Sequence, residues 1–260
     1  MKETIKQKPL ILITNDDGVE APGLRKLINI ARELGDVAVV APDKPQSGMS
    51  HAITMSHPLR LKKIAEEEGY QEYSCNGTPV DSVKLGEQII LGRYPDLVLS
   101  GINHGSNASV NVIYSGTMAA VIEATIDGIS AIGFSLLDYS HQADFNHVDD
   151  HITQIIKNVL QKKLPKGVCL NVNIPAASKH KIKGVKICRQ AKGRWAEKFD
   201  IRTDPYKKEY YWLTGVFEDG DTSPDTDSWA LANNYVTVVP VHYDLTAHQA
   251  IEELKEWEKD

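Results

Sequence analysis

The stretch LILITNDDG, residues 10–18, decides how this chain is read. Leu10 to Thr14 is a short apolar run, too short to span a membrane or to act as a signal-peptide core, and suited to a strand covered on both faces. Asn15, Asp16, Asp17 and Gly18 then stop it. Pro22 and Gly23 precede a helix with Leu24, Leu27, Ile28 and Ala31 at helical spacing, Gly35 closes it, and VAVVA (37–41) supplies the next strand. Strand, crossover helix and strand predict a right-handed βαβ unit with parallel strands.

Further along, Ala52 to Met55 is strand-like, and Leu59–Leu61 with Tyr70–Ser74 suggests a pair of short strands. A helix is expected within Val80–Leu91, and a buried strand at Leu97–Leu99 that ends through Ser100 in Gly101 and Asn103. Thr117 to Asp127 reads as a helix rich in small residues, Ile129–Ser135 as a strand, Asp149–Lys162 as an amphipathic helix and Val168–Ile174 as a strand. From about Lys181 the texture changes to strand-like segments (Val185–Arg189, Tyr210–Thr214, Tyr235–Pro240) between polar loops, followed by an amphipathic helix over His248–Glu258. The fold class is therefore α/β: a doubly wound, mostly parallel sheet over residues 1–180, with a β-rich extension and a C-terminal helix over 181–260.

The 260 residues, 42% hydrophobic and 25% charged, suffice for one sizeable core. A formal net charge of −6 with scattered Lys and Arg argues against binding nucleic-acid polymers, which takes clustered cations. A small anionic substrate is still compatible, because one bound cation outweighs local acidity. Met1 to Pro9 is polar with three lysines, and Cys75, Cys169 and Cys188 lack CxxC spacing. A cytoplasmic protein with no membrane association is expected.

In an open parallel sheet, ligands bind beyond the carboxyl ends of the strands. Three expected strands run into polar clusters: Asn15 to Gly18, the loop Asp43–Ser50 with Ser47, and Ser100 to Asn103. They should meet at one sheet edge. Adjacent carboxylates repel, so Asp16 and Asp17 at a strand end call for a cation or a helix N-terminus, and hard divalent ions favour such oxygens. Either Asp can instead cap the next helix. Ser47 and Asn103 are neutral donors able to complete a metal site, or simply turn residues. Tyr114-Ser115-Gly116-Thr117 opens a helix and resembles a phosphate cradle as well as an ordinary cap. The roles of His51 and His104 stay open.

Taken together, ILITNDDGVEAPG (11–23), APDKPQSGMSHAIT (41–54), CNGTPVDSVKLG (75–86), PDLVLSGINHGSN (95–107), YSGTMAAVIEA (114–124) and, more weakly, NYVTVVPVHYDLT (234–246) resemble the SurE family of stationary-phase survival proteins, a 5′/3′-nucleotidase and exopolyphosphatase group. The resemblance implies a Rossmann-like core with a β-hairpin extension, and a C-terminal helix exchanged within a homodimer that can pair into a homotetramer. It also implies one divalent cation per subunit, Mg²⁺ or Mn²⁺, on positions matching Asp16, Asp17, Ser47 and Asn103. Phosphate contacts are implied at Asn107, Ser115, Gly116 and Thr117. The loop SGMSH (47–51) and, at His104 and Ser106, the string GINHGSN (101–107) depart from the usual family forms at positions other than the implied ligands Ser47, Asn103 and Asn107 that they carry.

The expected activity is hydrolysis of nucleoside 5′-monophosphates, with 3′-monophosphates and short polyphosphate as further implied substrates. Asp16 is the candidate catalytic residue, either as base for an attacking water or as nucleophile through an aspartyl-phosphate. A haloacid-dehalogenase-type phosphatase also begins with Asp after its first strand, but needs Asp-x-Asp rather than adjacent acids. A nucleotide-binding module without catalysis would gain little from two acids facing an anion. Trp195, Tyr206, Tyr210, Tyr211 and Trp212 could stack on a base or fill an interface, and Ile251, Leu254 and Trp257 suit docking onto a second subunit.

Overall fold

Alternation along the first strand builds the two cores. Ile11 and Ile13 face one cluster with Leu24, Leu27, Ile152 and Ile156, while Leu12 faces another with Val83, Met118 and Val121. The strand is thus covered on both sides, as its continuous apolar run requires. The computed structural model describes residues 8–140, 143–176 and 181–259. The N-terminal stretch up to residue 7 lies outside them, as do residues 177–180, which include one side of the expected boundary at 180/181.

Nine strands form the main sheet: β1 (Leu10–Thr14), β2 (Asp36–Pro42), β3 (Leu61–Glu67), β4 (Tyr70–Cys75), β5 (Leu97–His104), β6 (Ala131–Leu137), β7 (Val168–Pro175), β8 (Val185–Ile187) and β11 (Val236–His242). Their order is β3-β4-β2-β1-β5-β6-β7-β11-β8. The run from β4 to β7 is parallel, whereas β3 and β11 run antiparallel to β4 and β7. Helices α1 (Pro22–Arg32) and α5 (Asp149–Lys162) cover one face; α2 (Pro79–Leu85) and α4 (Gly116–Ile126) cover the other. A short helix α3 (Asn111–Tyr114) precedes α4. The chain builds β2, β3 and β4 on one side of β1 and returns to β5 on the other, so the β1–β5 crevice is the switch point of this doubly wound, Rossmann-like sheet.

Strands β9 (Gly193–Thr203) and β10 (Glu209–Asp219) form a separate two-stranded hairpin. Helix α6 (Asp227–Ala232) is capped by Thr226, whose side chain accepts from the Trp229 N–H. Helix α7 (His248–Leu254) ends the chain with a 3₁₀ turn at Lys255–Lys259, so the helix expected over His248–Glu258 tightens in its last turn.

Four expectations are corrected. Ala52–Met55 is not a strand, because its backbone is satisfied by the α2 cap: Thr78 Oγ1 donates to Ala52 O at 2.8 Å and Thr54 N–H donates to Asp81 Oδ1 at 3.1 Å. The outer strand begins at Leu61 rather than Leu59, since Asn76 takes the Arg60 N–H at 2.7 Å and donates to Pro58 O at 3.3 Å. The helix within Val80–Leu91 splits into α2 and a π-turn at Gly86–Ile90. The expected strand Val185–Arg189 shortens to β8, because the Arg189 N–H turns to Asp225 O at 3.0 Å.

Candidate active site

Strands β2, β1 and β5 are neighbours, so their polar ends converge at the switch point. After β1, Asn15 Nδ2 donates to Gly18 O at 2.9 Å and closes a tight turn that carries Asp16 and Asp17. The loop after β2 folds onto this turn through Val19 N–H to Pro42 O (2.8 Å) and Gln46 N–H to Asp16 O (2.7 Å), which delivers Ser47. Strand β5 continues past Ser100 and carries Asn103 at its end. Asp16, Ser47, Asn103, Asn107 and Ser115 all line one cavity of about 540 Å³.

Asp16 is only 3% exposed. Burial pushes its carboxyl up to about 6, the hydrogen bond from Thr117 pulls it down, and the Asp17 charge pushes it up. Burial also raises Asp17, opposed by the His104 N–H that donates to its Oδ2 at 3.2 Å. Among the described residues neither carboxylate has a Lys or Arg partner. Asn103 Nδ2 donates to Gly105 O at 2.9 Å, which leaves its Oδ1 as the available group. No three or more His, Cys, Asp or Glu side chains gather as a metal cluster among the described residues. Two uncompensated carboxylates beside the neutral oxygens of Ser47 and Asn103 nevertheless form the all-oxygen set that Mg²⁺ or Mn²⁺ prefers, so these residues fit a divalent cation.

The cradle opens helix α4. Ser115 is its N-cap and accepts from the Met118 N–H at 3.0 Å, while its own hydroxyl hydrogen remains available. Gly116 lies directly behind Asp16: a Cβ there would stand 2.8 Å from Asp16 Cβ and 3.0 Å from its Oδ2. Thr117 is fully buried and donates its hydroxyl to Asp16 Oδ1 at 2.5 Å. Its side chain therefore orients the carboxylate and is not presented to the cavity. Asp17, Gly116 and Thr117 sit beside or behind the cavity wall, with the other five expected residues on it.

The two open histidines separate. His104 lines the cavity and packs on Phe145 (centroids 5.1 Å apart), and its Nε2 is buried without a partner among the described residues. His51 is turned away, with Nε2 2.8 Å from Glu123 Oε2 on α4. Ser50 helps it latch the Ser47 loop, donating from Oγ to Ile113 O (2.7 Å) and from its N–H to Tyr114 O (3.2 Å).

Several supporting residues escaped the sequence reading. Asn107 is fixed by a buried amide network: its Nδ2 donates to Ser135 Oγ (2.9 Å), its N–H to Asn173 Oδ1 (2.8 Å), and its carbonyl accepts from Asn171 Nδ2 (2.8 Å). The signal was present as NVN (171–173) inside an apolar strand. Asp227 is fully buried and accepts from the Ser109 and Ala191 N–H groups at 2.8 and 2.9 Å, fastening the root of β9 to the loop that holds Asn107. Trp195, Glu197, Leu213 and Gly215 of the hairpin form the opposite cavity wall.

Comparison with known proteins gives this arrangement its relatives. The family described as "Survival protein SurE" matches residues 11–197. "5'-nucleotidase SurE" of Christiangramia forsetii is 59% identical over 254 residues, 97% of this chain and 98% of that protein. Its counterpart in Flavobacterium psychrophilum is 59% identical over 96% of this chain and 98% of its own length. The crystal structure of the SurE protein from Aquifex aeolicus superposes with a TM-score of 0.83 at 39% identity, covering 96% of this chain and 100% of that one. Matched by the family over residues 11–197 and 59% identical to near-full-length relatives, this protein belongs to the SurE family.

Proposed function

We propose that this protein is a metal-dependent 5′-nucleotidase that hydrolyses nucleoside 5′-monophosphates to nucleoside and phosphate. The observation that carries this reading is the buried Asp16 carboxylate set against the first turn of α4, with Ser47, Asn103, Asn107 and Ser115 on the same cavity wall. Near-full-length relatives bearing the name 5'-nucleotidase SurE support it.

Asp16, Asp17, Ser47 and Asn103 would hold a Mg²⁺ or Mn²⁺ ion. When bound, such an ion neutralises the phosphate dianion and stabilises the charge that develops on its oxygens. The Ser115 hydroxyl, the Gly116 N–H and the second Nδ2 hydrogen of Asn107 hold the phosphoryl oxygens. Asp16, oriented by Thr117, accepts the proton of the attacking water. A bond forms from the water oxygen to phosphorus, the bond to the 5′-oxygen breaks, and that oxygen leaves as the nucleoside hydroxyl with a proton from solvent, Asp16 returning the one it took to solvent.

The test is AMP turnover with and without EDTA and with Mg²⁺ or Mn²⁺ restored, in the wild type and Asp16→Asn. Metal-dependent release of phosphate, lost in Asp16→Asn, is expected; turnover indifferent to EDTA and to Asp16 would refute the proposal. The same assay with 3′-monophosphates and short polyphosphate defines the range.

The C-terminal region supports reading the active form as a homodimer, able to pair into a homotetramer, with residues 181–260 serving association. Helix α7 buries none of its residues, and a second cavity of about 760 Å³ lined by Ile113, Ile126, Val241 and Leu245 stands uncovered. No described helix is long and apolar enough to cross a membrane. Three buried free cysteines fit a reducing, cytoplasmic setting.

A further inference from the structure

We propose that the inner face of the β9–β10 hairpin is the nucleoside subsite, with Trp195 as the platform for the base and Glu197 as the acceptor for a hydrogen-bond donor of the nucleoside. The inference rests on the nucleotidase reading and adds to it the part of the molecule that recognises the non-reacting half of the substrate.

The cavity has two walls of different chemistry. One carries Asp16, Ser47, Asn103 and Ser115; the other is made by the hairpin. Residues directly opposite in an antiparallel pair share a face, as do alternate residues along a strand. Trp195 pairs with Phe217, Glu197 with Gly215 and Phe199 with Leu213, so Trp195, Glu197, Gly215 and Leu213 share one face. All four line the cavity, joined there by Thr214 from between Leu213 and Gly215. Phe199 and Phe217 on the same face do not, nor do Tyr206, Tyr210, Tyr211 and Trp212.

Trp195 is held as a platform. Its Nε1–H donates to Asn111 Oδ1 at 2.8 Å, and Phe217 meets its ring edge-on with centroids 5.4 Å apart. The hairpin root is fixed as well: Ser109 Oγ donates to Ala191 O (3.0 Å) and accepts from the Gly193 N–H (2.9 Å), while Asp227 grips both sides. The spacing from the phosphate cradle to the Trp195 face is thereby set by buried hydrogen bonds, although the rest of the hairpin is exposed.

Glu197 decides what kind of group this wall receives. A carboxylate there repels a phosphate, so it serves a neutral part of the substrate that carries N–H or O–H donors, namely a ribose hydroxyl or a base amino group. Opposite it, Gly215 adds no side chain to this wall; a Cβ at that position would come within 2.9 Å of Ala196 O on the paired strand. About 540 Å³ is the size of a small-ligand pocket and exceeds the needs of a phosphate group alone.

The experiment measures kcat/KM of the wild type, Trp195→Ala, Trp195→Phe and Glu197→Gln on AMP, ribose 5-phosphate and β-glycerophosphate, with thermal melts to verify folding. Trp195→Ala should lose about tenfold on AMP, as base–aromatic stacks do, with Trp195→Phe recovering most of it and β-glycerophosphate unaffected. Glu197→Gln should lower AMP turnover alone if the donor is on the base, or AMP and ribose 5-phosphate together if it is on the ribose; either result upholds the subsite. Equal losses on all three esters, or no change on AMP, would overturn it. A wild type that cleaves β-glycerophosphate but no nucleotide would instead sink the nucleotidase reading on which the subsite rests.

Discussion

The Thr117 hydroxyl donates to Asp16 Oδ1 at 2.5 Å, joining the first turn of α4 to the end of β1 across 101 residues of sequence. Both partners are buried, so the acid cannot swing to another rotamer without leaving that donor unpaired. The contact turns an ordinary helix start into the support of the carboxylate proposed to act as the base.

Removing only that hydroxyl tests the support. Thr117→Val keeps the volume and β-branching of the side chain, and kcat/KM on AMP should fall about 10- to 100-fold, the worth of a hydrogen bond to a charged group. Thr117→Ser should restore most of the activity. A valine variant as active as the wild type would show that Asp16 needs no orientation from α4.

Gly116→Ala probes the close approach of the same two elements. The new methyl would meet Asp16 Cβ at 2.8 Å, so either the carboxylate or the helix start must shift. A loss of about 1–3 kcal/mol in stability is expected, as for overpacking, together with a loss of turnover greater than that of Thr117→Val. Urea unfolding and AMP hydrolysis measure the two effects separately.

The sheet was legible because each core strand is a continuous apolar run closed by a polar cluster, and α5 because five apolar residues share one helical face. Convergence of the Asp16, Ser47 and Asn103 segments followed from topology. The role of Thr117 did not, since its hydroxyl partner depends on how closely α4 approaches β1, which Gly116 sets in three dimensions. The Asn107 network was hidden for a similar reason: Asn171 and Asn173 alternate on a strand whose neighbours no local pattern reveals. Ala52–Met55 misled because strand-like composition was satisfied by a helix cap instead of a ladder.

Cation binding can be read without turnover. A ligand that binds only the folded state raises the melting temperature, so Mn²⁺ should stabilise the wild type and do so less in Asp17→Asn and Asn103→Ala. Each loses one of the four proposed oxygen ligands while Asp16 remains. Equal Mn²⁺ shifts in all three proteins would remove the assignment of these residues as ligands.

Away from the site, Glu87 imposes a pH dependence on stability. It is buried, both its carboxylate oxygens lack a hydrogen-bond partner among the described residues, and burial together with the neighbouring Asp127 raises it from 4.5 to about 8. Lys84 opposes this only weakly, being engaged by Glu123. Between those values the folded state holds a proton that the unfolded chain has released. Stability from this group is therefore complete below pH 4.5, declines as pH rises and levels off above about 8. Glu87→Gln should gain about 1–2 kcal/mol at pH 8.5 and flatten that decline, as measured by urea unfolding across pH. A parallel pH profile in the variant would mean that Glu87 is ionised in the fold.

Helix α7 gives the last test. Ile251, Leu254 and Trp257 are 38%, 45% and 75% exposed, and the helix buries none of its residues, so one chain leaves an amphipathic segment uncovered. Burying it against the uncovered Ile113–Ile126 groove of a second copy removes both apolar surfaces from water at once, and a single charge on the face makes that burial costly. Sedimentation equilibrium should find the wild type as a dimer or tetramer and Leu254→Glu/Trp257→Glu as a monomer that keeps the core's cooperative melting transition. Because association adds to stability by mass action, the wild-type melting temperature should rise with protein concentration and that of the double variant should not. A wild type that sediments as a monomer across the same concentrations would refute the assignment of α7 to association.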